Sequence, residues 1–433
     1  MLTYITFGIF ILAFVLIVFE VFDKSLIALS GALLMVLLNV LTPEEAIEAI
    51  EFETILLLLG MMVLVNISAK SGIFEWLNVK IAALTKGNPL AIFLLFSFVT
   101  ALFSAFLDNV TTVILIVPLT IVLVKGMGKD PKPYIFGEII FSNIGGALTL
   151  IGDPPNIIIG GATGYNFLDF LMNLWMPILG SMIFTALVFV LVYWKKLRPI
   201  SDNLSELCVA NVIIKKLRYK FLNTVLHKDF IITVLSILVL TLTGFVLQGV
   251  LGIPTYVIAF AAAVLLAILT TRRVKVHESF ESVEWTTLFF FSGLFIMVAG
   301  VEQTGILEQL SHFVAGTTTN IFYLALIVLW VSGLASMILD NIPFVTVMIP
   351  VIMGIQTQLG PEAAVLWWAL SLGACLGGNG TLIGASANVV SADLAKKSGV
   401  RISFLEYMKF SLPLTLGVLV ICSAYLFLKI NVL

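Results

Sequence analysis

Asp108, Asp153 and Asp340 stand inside long apolar segments of a chain that is 60% hydrophobic and only 11% charged. No Lys or Arg shares those segments with them, and Glu138 lies nearer one end of its own. A buried carboxylate without a cationic partner either binds a cation or takes up a proton. The competing reading is capping, in which Asp108 and Asp340 each accept the free amides of a helix that follows. Around Asp153 the chain reads Ile151-Gly152-Asp153-Pro154-Pro155-Asn156. Two adjacent prolines remove two amide donors, so this stretch cannot be a continuous helix. Carbonyls and a fresh helix N-terminus are then exposed, the usual setting of ion and polar-solute sites in membrane carriers.

The elements holding these residues are written twice. Residues 145–156 (GGALTLIGDPPN) and 377–388 (GGNGTLIGASAN) share seven of twelve positions at an offset of 232. At the same offset LFSAFLDNVTTVILIVP (102–118) overlays LASMILDNIPFVTVMIP (334–350), with both Asp-Asn pairs in register. Residues 51–77 overlay 284–310 at 233, matching Gly60 with Gly293 and Gly72-Ile73 with Gly305-Ile306. Three domains follow: a first repeat over 1–194, a linker over 195–228 and a second repeat over 229–433.

Mean hydropathy is +1.14, and nearly all of the 433 residues fall into apolar runs long enough to cross a bilayer as helix. No ten-residue alternating pattern suggests a barrel, so the spans are helical. Spans are expected at 4–22, 25–41, 54–69, 134–162 with a break, and 174–194, then at 230–249, 255–271, 286–301, 363–395 with a break, and 410–430. The run 4–22 lacks a basic start and a small-residue cleavage site and reads as a span. The split stretches 88–124 and 320–355 read as re-entrant hairpins with Asp-Asn at their tips, buried where irregular backbone is tolerated. Five crossings per copy reverse the direction of the next, so the repeat must be inverted. The expected fold is an all-α polytopic membrane protein of two inverted repeats, each with a re-entrant hairpin and a broken helix.

Basic residues orient the chain. The linker carries eight of the 23 Lys and Arg, which marks it as cytoplasmic. Lys24, Lys70, Lys80, Lys86, Lys125, Lys129, Lys132, Arg272, Arg273, Lys275, Lys396, Lys397, Arg401 and Lys409 then fall in inner loops. Lys429 alone breaks the pattern, and both termini are expected outside a plasma or inner membrane. Net charge of −2 gives no basis for nucleic-acid binding, and three scattered cysteines argue against a disulfide framework or metal cluster.

The candidate site gathers Asp108, Asn109, Thr111, Thr112, Asn143, Gly152, Asp153, Pro154, Pro155 and Asn156 from the first copy. The second adds Asp340, Asn341, Asn379, Thr381, Ser386 and Asn388. The second copy has Ala385 opposite Asp153 and Pro343-Phe344 where the first has Thr111-Thr112, so the first is the richer ion site. Asp108, Asn109, Asp153 and Asn156 are its sodium candidates. The second break must open through Gly377, Gly378, Gly380 and Gly384; the GxxxG spacings Gly373/Gly377 and Gly380/Gly384 equally suit close helix packing. Cys375 reads as a small hydrophobe, His227, His277 and His312 form no cluster, and Glu44, Glu45, Glu48, Glu51 and Glu53 read as a solvated loop.

The strings FLDNVTTVILIVPLT, SNIGGALTLIGDPPNIII, LDNIPFVTVMIP and GACLGGNGTLIGASANVV resemble the ion transporter superfamily. The resemblance covers nearly the whole chain and is strongest to the branch holding the arsenite permeases and the P protein of pigment cells. D-type sodium/proton antiporters and dicarboxylate/sodium symporters are related branches. It implies two inverted repeats in a homodimer working by an elevator motion. Dicarboxylate relatives carry Ser-Asn-Thr at the hairpin tips, where sodium binds; here those positions read Asp108-Asn109-Val110 and Asp340-Asn341-Ile342. An added carboxylate at each tip repels a dicarboxylate and favours a cation or a coupled proton.

The expectation is a proton- or sodium-coupled secondary transporter of a small inorganic species, by cation/proton exchange or arsenite-type efflux, with no cofactor beyond the coupling ion. Its partners are that species and the lipid bilayer. A sodium-coupled anion or dicarboxylate transporter and an ion channel of the same fold are the alternatives. An intramembrane aspartyl protease would need Gly-x-Gly-Asp, and Leu150-Ile151-Gly152-Asp153 lacks the first glycine.

Overall fold

The computed structural model describes residues 2–19, 22–197, 227–281, 283–318 and 320–432. The first repeat supplies α1 (Leu2–Val18), α2 (Lys24–Leu37), α3 (Pro43–Glu48), α4 (Phe52–Lys70) and α5 (Ile73–Leu84). It continues through α6 (Pro89–Ser104), α7 (Asn109–Gly126), α8 (Lys132–Gly146), α9 (Pro154–Thr163) and α10 (Phe167–Leu197). The second repeat supplies α11 (Lys228–Leu251), α12 (Thr255–Thr270), α13 (Val276–Glu281), α14 (Trp285–Glu302) and α15 (Ile306–Thr317). Then come α16 (Ile321–Ser336), α17 (Asn341–Leu359), α18 (Val365–Gly377), α19 (Ser386–Lys397) and α20 (Phe404–Asn431). Each helix of the first repeat has its counterpart ten places on. Most of the linker, with Cys208, lies outside the described residues.

Seven of these helices are long and apolar enough to cross a membrane, and α11 and α10 leave most of their apolar surface unburied. In water such faces would be costly; in hydrocarbon they are solvated. The protein is an integral membrane protein.

The inversion is visible in one helix pair. Met297 of α14 fills the space over Gly31 of α2, while Gly300 lies against Met35 and Gly293 against Ala28. Contacts therefore advance in the same chain direction on both helices, so α2 and α14 are parallel. Successive crossings α2 and α4 are antiparallel, hence α14 opposes its own counterpart α4. Only an inverted repeat does that. Gly60 of α4 meets Ala259 and Phe260 of α12 just as Gly293 meets Ala28 and Leu29, which fixes the offset between α2 and α12 at 231.

Both hairpins form. The tip of α6–α7 is tied to the break of its own repeat, with Thr149 donating to Ala105 O and Ser142 donating to Asn109 O at 3.1 Å. The tip of α16–α17 mirrors it, with Thr381 donating to Met337 O at 2.5 Å. Close packing lets the tips reach this depth: a methyl on Gly145 would lie 2.1 Å from Ala101 O, and one on Gly377 2.3 Å from Gly333 O.

The glycines of the second break divide between the two readings. Gly373 and Gly377 pack α18 on α16, whereas Gly378 and Gly384 touch each other across the opened turn, 2.8 Å from a would-be Cβ to the facing carbonyl. Four short helices were not expected. Gly72 and Gly305 take left-handed φ of 76° and 74° and swing the chain into α5 and α15, which is why the two Gly-Ile pairs match. The acidic loop after α2 folds into α3, closed by a capping box between Thr42 and Glu45.

Candidate functional site

Four helix N-termini meet around one cavity of about 330 Å³. The starts of α7 (Asp108, Asn109, Val110, Thr111), α9 (Asp153, Pro154), α17 (Asp340, Asn341, Ile342) and α19 (Ala385, Ser386) line it. Met61, Met62 and Asn66 of α4, Lys24 of α2, and Glu284 and Thr287 at the head of α14 complete the wall. The two repeats thus contribute to one site.

Each aspartate is an N-cap, but they are used differently. Asp108 accepts from Thr111 N at 2.8 Å, and Asp340 Oδ1 from Ile342 N at 3.4 Å. The capping reading holds for both, alongside their place on the cavity. The Asp153 side chain caps nothing: Pro154 and Pro155 have no amide hydrogens, and the amide of Asn156 donates to the Asp153 carbonyl at 3.0 Å. Asp153 is 1% exposed; Oδ1 is 3.5 Å from Asn109 Nδ2, and Oδ2 makes no hydrogen bond among the described residues. A buried carboxylate oxygen without a hydrogen bond, on a residue that lines the cavity, is the strongest mark of a ligand here.

One expectation is overturned. Lys24, counted among loop cations, places its Nζ 3.2 Å from Asp340 Oδ2 and 5.2 Å from the centre of the Phe290 ring. Asp340 therefore has a cationic partner. Lys24 sits at a helix start beside Asp23, where nothing in the sequence distinguishes it from a solvated loop residue. Glu284 and Thr287 were missed likewise, though they match Glu51 and Thr54 in the repeat.

Behind the cavity wall the remaining candidates hold the breaks in shape. Asn156 Nδ2 donates to Ala147 O at 3.1 Å and Thr149 O at 2.9 Å, and its oxygen accepts from Ser371 at 2.6 Å. Its counterpart Asn388 donates to Gly378 O and Thr381 O, both at 2.8 Å. Asn143 donates to Asn379 Oδ1 at 2.8 Å and Asn388 Oδ1 at 2.9 Å, and accepts from Asn109 at 3.2 Å. Asn379 donates more weakly to Ile140 O at 3.4 Å. Thr112 closes on Asp108 O at 2.9 Å, and Gly152 lets its segment pass 2.5 Å, measured from a would-be Cβ, from Gly146 O. Pro155 is buried in the first turn of α9. These side chains do not border the cavity.

Among the described residues no three His, Cys, Asp or Glu side chains converge as a ready metal shell. A cation in the cavity would therefore use one or two carboxylates together with amide oxygens, carbonyls and water. Asn156, spent on the first break, is turned away from it.

The citrate transporter family, CitMHS, matches residues 14–373. An uncharacterized transporter of Mycobacterium bovis is 35% identical over 98% of both chains, and a 46 kDa membrane protein of Mycobacterium leprae 36% over 97% of both. The P protein of Sus scrofa is 32% identical over 93% of this chain, which spans 56% of that longer relative. In fold the chain is similar to the YdaH transporter of Alcanivorax borkumensis, whose crystal structure has an unusual topology. The TM-score is 0.55 at 15% identity, covering 87% of this chain and 84% of that one. Two inverted repeats meeting at paired Asp-Asn tips and broken helices are thus joined by a family match over most of the chain and relatives aligned along nearly all of it: the chain is a membrane transporter of the citrate transporter family, within the ion transporter superfamily.

Proposed function

We propose that this chain is a proton- or sodium-coupled secondary transporter whose cavity takes a small inorganic cation and exchanges it against protons. The observation that carries the reading is the charge around that cavity. Asp108, Asp153, Asp340 and Glu284 face one ammonium, Lys24, a formal balance of −3. Four helix N-termini add roughly half a positive charge each, about +2 in all. About one negative charge is left over, so the site attracts cations. Binding a cation and binding a proton at the same carboxylates are mutually exclusive, which is the minimum an exchanger needs. Alternating access suits the fold's symmetry: two inverted halves can trade conformations, with the hairpins, their tips and the broken helices moving together against α2, α4, α12 and α14.

A second reading rests on the start of α19. Ala385 offers it no carboxylate, so its amides and the Ser386 hydroxyl face the cavity unopposed by charge. Protonating two of the four carboxyl groups would turn the balance positive and admit an organic anion, as the family's description suggests. Proteoliposomes separate the two. Cation/proton exchange predicts collapse of an imposed pH gradient on adding sodium, lithium or another cation, with citrate inert. Citrate uptake that rises with acidity and needs no added metal cation would replace it.

A further inference from the structure

Lys24 and Asp340 form an ion pair on one side of the cavity that has no equivalent on the other. The contact geometry of Gly60 and Gly293 sets Lys24, the first residue of α2, opposite Thr255, the first residue of α12. Asp340 corresponds to Asp108, whose carboxylate meets a backbone amide instead of an ammonium. The chain therefore departs from its own two-fold symmetry by one charge. Lys24 belongs to the α1–α2 arm, and Asp340 to the tip between α16 and α17, so the pair bridges two separate parts of the fold. Phe290 beneath the ammonium and the nearby Glu284 hold it at the cavity edge. The two side chains remain 36% and 22% exposed, so ions can reach the pair.

We propose that Lys24 is a tethered cation: it occupies Asp340 while the cavity is empty, and a transported cation must displace it to use that carboxylate. The proposal rests on the cation reading above and adds a specificity residue to it. A tethered ammonium lowers affinity for cations on the side that shows the pair and leaves the opposite side, with Thr255, unaffected. It also favours a cargo that gains more from Asp340 than a monovalent ammonium does.

Purified full-length protein is titrated with sodium, lithium, magnesium and manganese ions, reading the thermal unfolding midpoint and radioactive sodium binding. Lys24→Met keeps the aliphatic stem and removes the charge; it should tighten cation binding about fivefold, the yield of a half-exposed ion pair. Lys24→Arg should behave as wild type, and in an Asp340→Asn background Lys24→Met should gain clearly less than it does with Asp340 present. Wild-type cation binding that Lys24→Met leaves unchanged or weakens overturns the tether alone. A gain that is undiminished without Asp340 also overturns it. If neither wild type nor Lys24→Met responds to any of the four cations, the cation reading falls and the tether with it. Unfolding midpoints without added ions show whether each variant is folded.

Discussion

Asn143 of the first repeat donates a hydrogen bond to Asn388 of the second at 2.9 Å, joining the two broken helices at their openings. The same amide group serves Asn379, and its oxygen accepts from Asn109 at the hairpin tip. One side chain thus locks three segments that each lack regular backbone pairing. Asn143→Leu would strand the buried acceptors Asn379 Oδ1 and Asn388 Oδ1 and leave Asn109 Nδ2 only its weak contact to Asp153, each stranded group costing about 1–3 kcal/mol. The expected loss is about 4 kcal/mol in detergent unfolding, together with loss of transport. An unchanged midpoint would mean that the breaks hold themselves.

Asp153 carries the next prediction, since its Oδ2 is buried without a hydrogen bond among the described residues. Asp153→Asn keeps the shape, removes a group that exchanges protons for cations, and relieves burial of a charge. The protein should unfold no earlier than wild type, yet lose coupled flux and its dependence on pH. Asp108→Asn should lose coupling too, because the cap to Thr111 survives through the amide oxygen while the charge is gone. Asp340→Asn should hurt least, its charge being matched by Lys24. Flux through proteoliposomes at several values between about pH 5.5 and 8.5 orders the three variants. Coupling intact in Asp153→Asn would remove that residue from the mechanism.

Repeated motifs made most of this architecture legible. The Asp-Asn pairs and the two Thr-Leu-Ile-Gly strings lie at fixed offsets, and parity then requires inversion. What stayed hidden is tertiary. Lys24 and Asp340 are 316 residues apart, and a lysine that pairs across repeats has the same local sequence as one in solvent. Asn156 and Asn388 read as ligands because they are polar in apolar sequence. Their amides instead replace the helix hydrogen bonds lost on opening, a role visible only once the carbonyls are placed.

Glycine packing gives a prediction independent of function. Gly145 and Gly377 occupy matching places where helix backbones touch, with carbonyls 2.1 Å and 2.3 Å from any added methyl. Alanine at either must push two backbones apart, costing about 1–3 kcal/mol and displacing the hairpin tip from its break. Gly180→Ala, whose methyl would meet Ile421 Cγ2 at 3.4 Å, is the matched control and should be neutral. Comparable midpoints for all three variants would contradict the packing.

The prolines test what holds the first break open. Pro154 and Pro155 occupy the first two positions of α9, where an amide hydrogen has no helical acceptor in any case. The second repeat has Ser386 and Ala387 there and opens in the same way. The residue before each helix has nearly the same backbone, φ −143° and ψ 134° at Asp153 against φ −150° and ψ 144° at Ala385. Asparagine staples common to both repeats therefore set the conformation, and the prolines chiefly restrict the unfolded chain. Pro154→Ser with Pro155→Ala, copying the second repeat, should cost about 1–2 kcal/mol and leave transport measurable. Asn156→Leu should cost more, about 2–4 kcal/mol, because it strands Ala147 O, Thr149 O and the Ser371 hydroxyl. Unfolding midpoints of the two variants rank the contributions. If the proline variant unfolds earlier than Asn156→Leu, the prolines and not the staple hold the break.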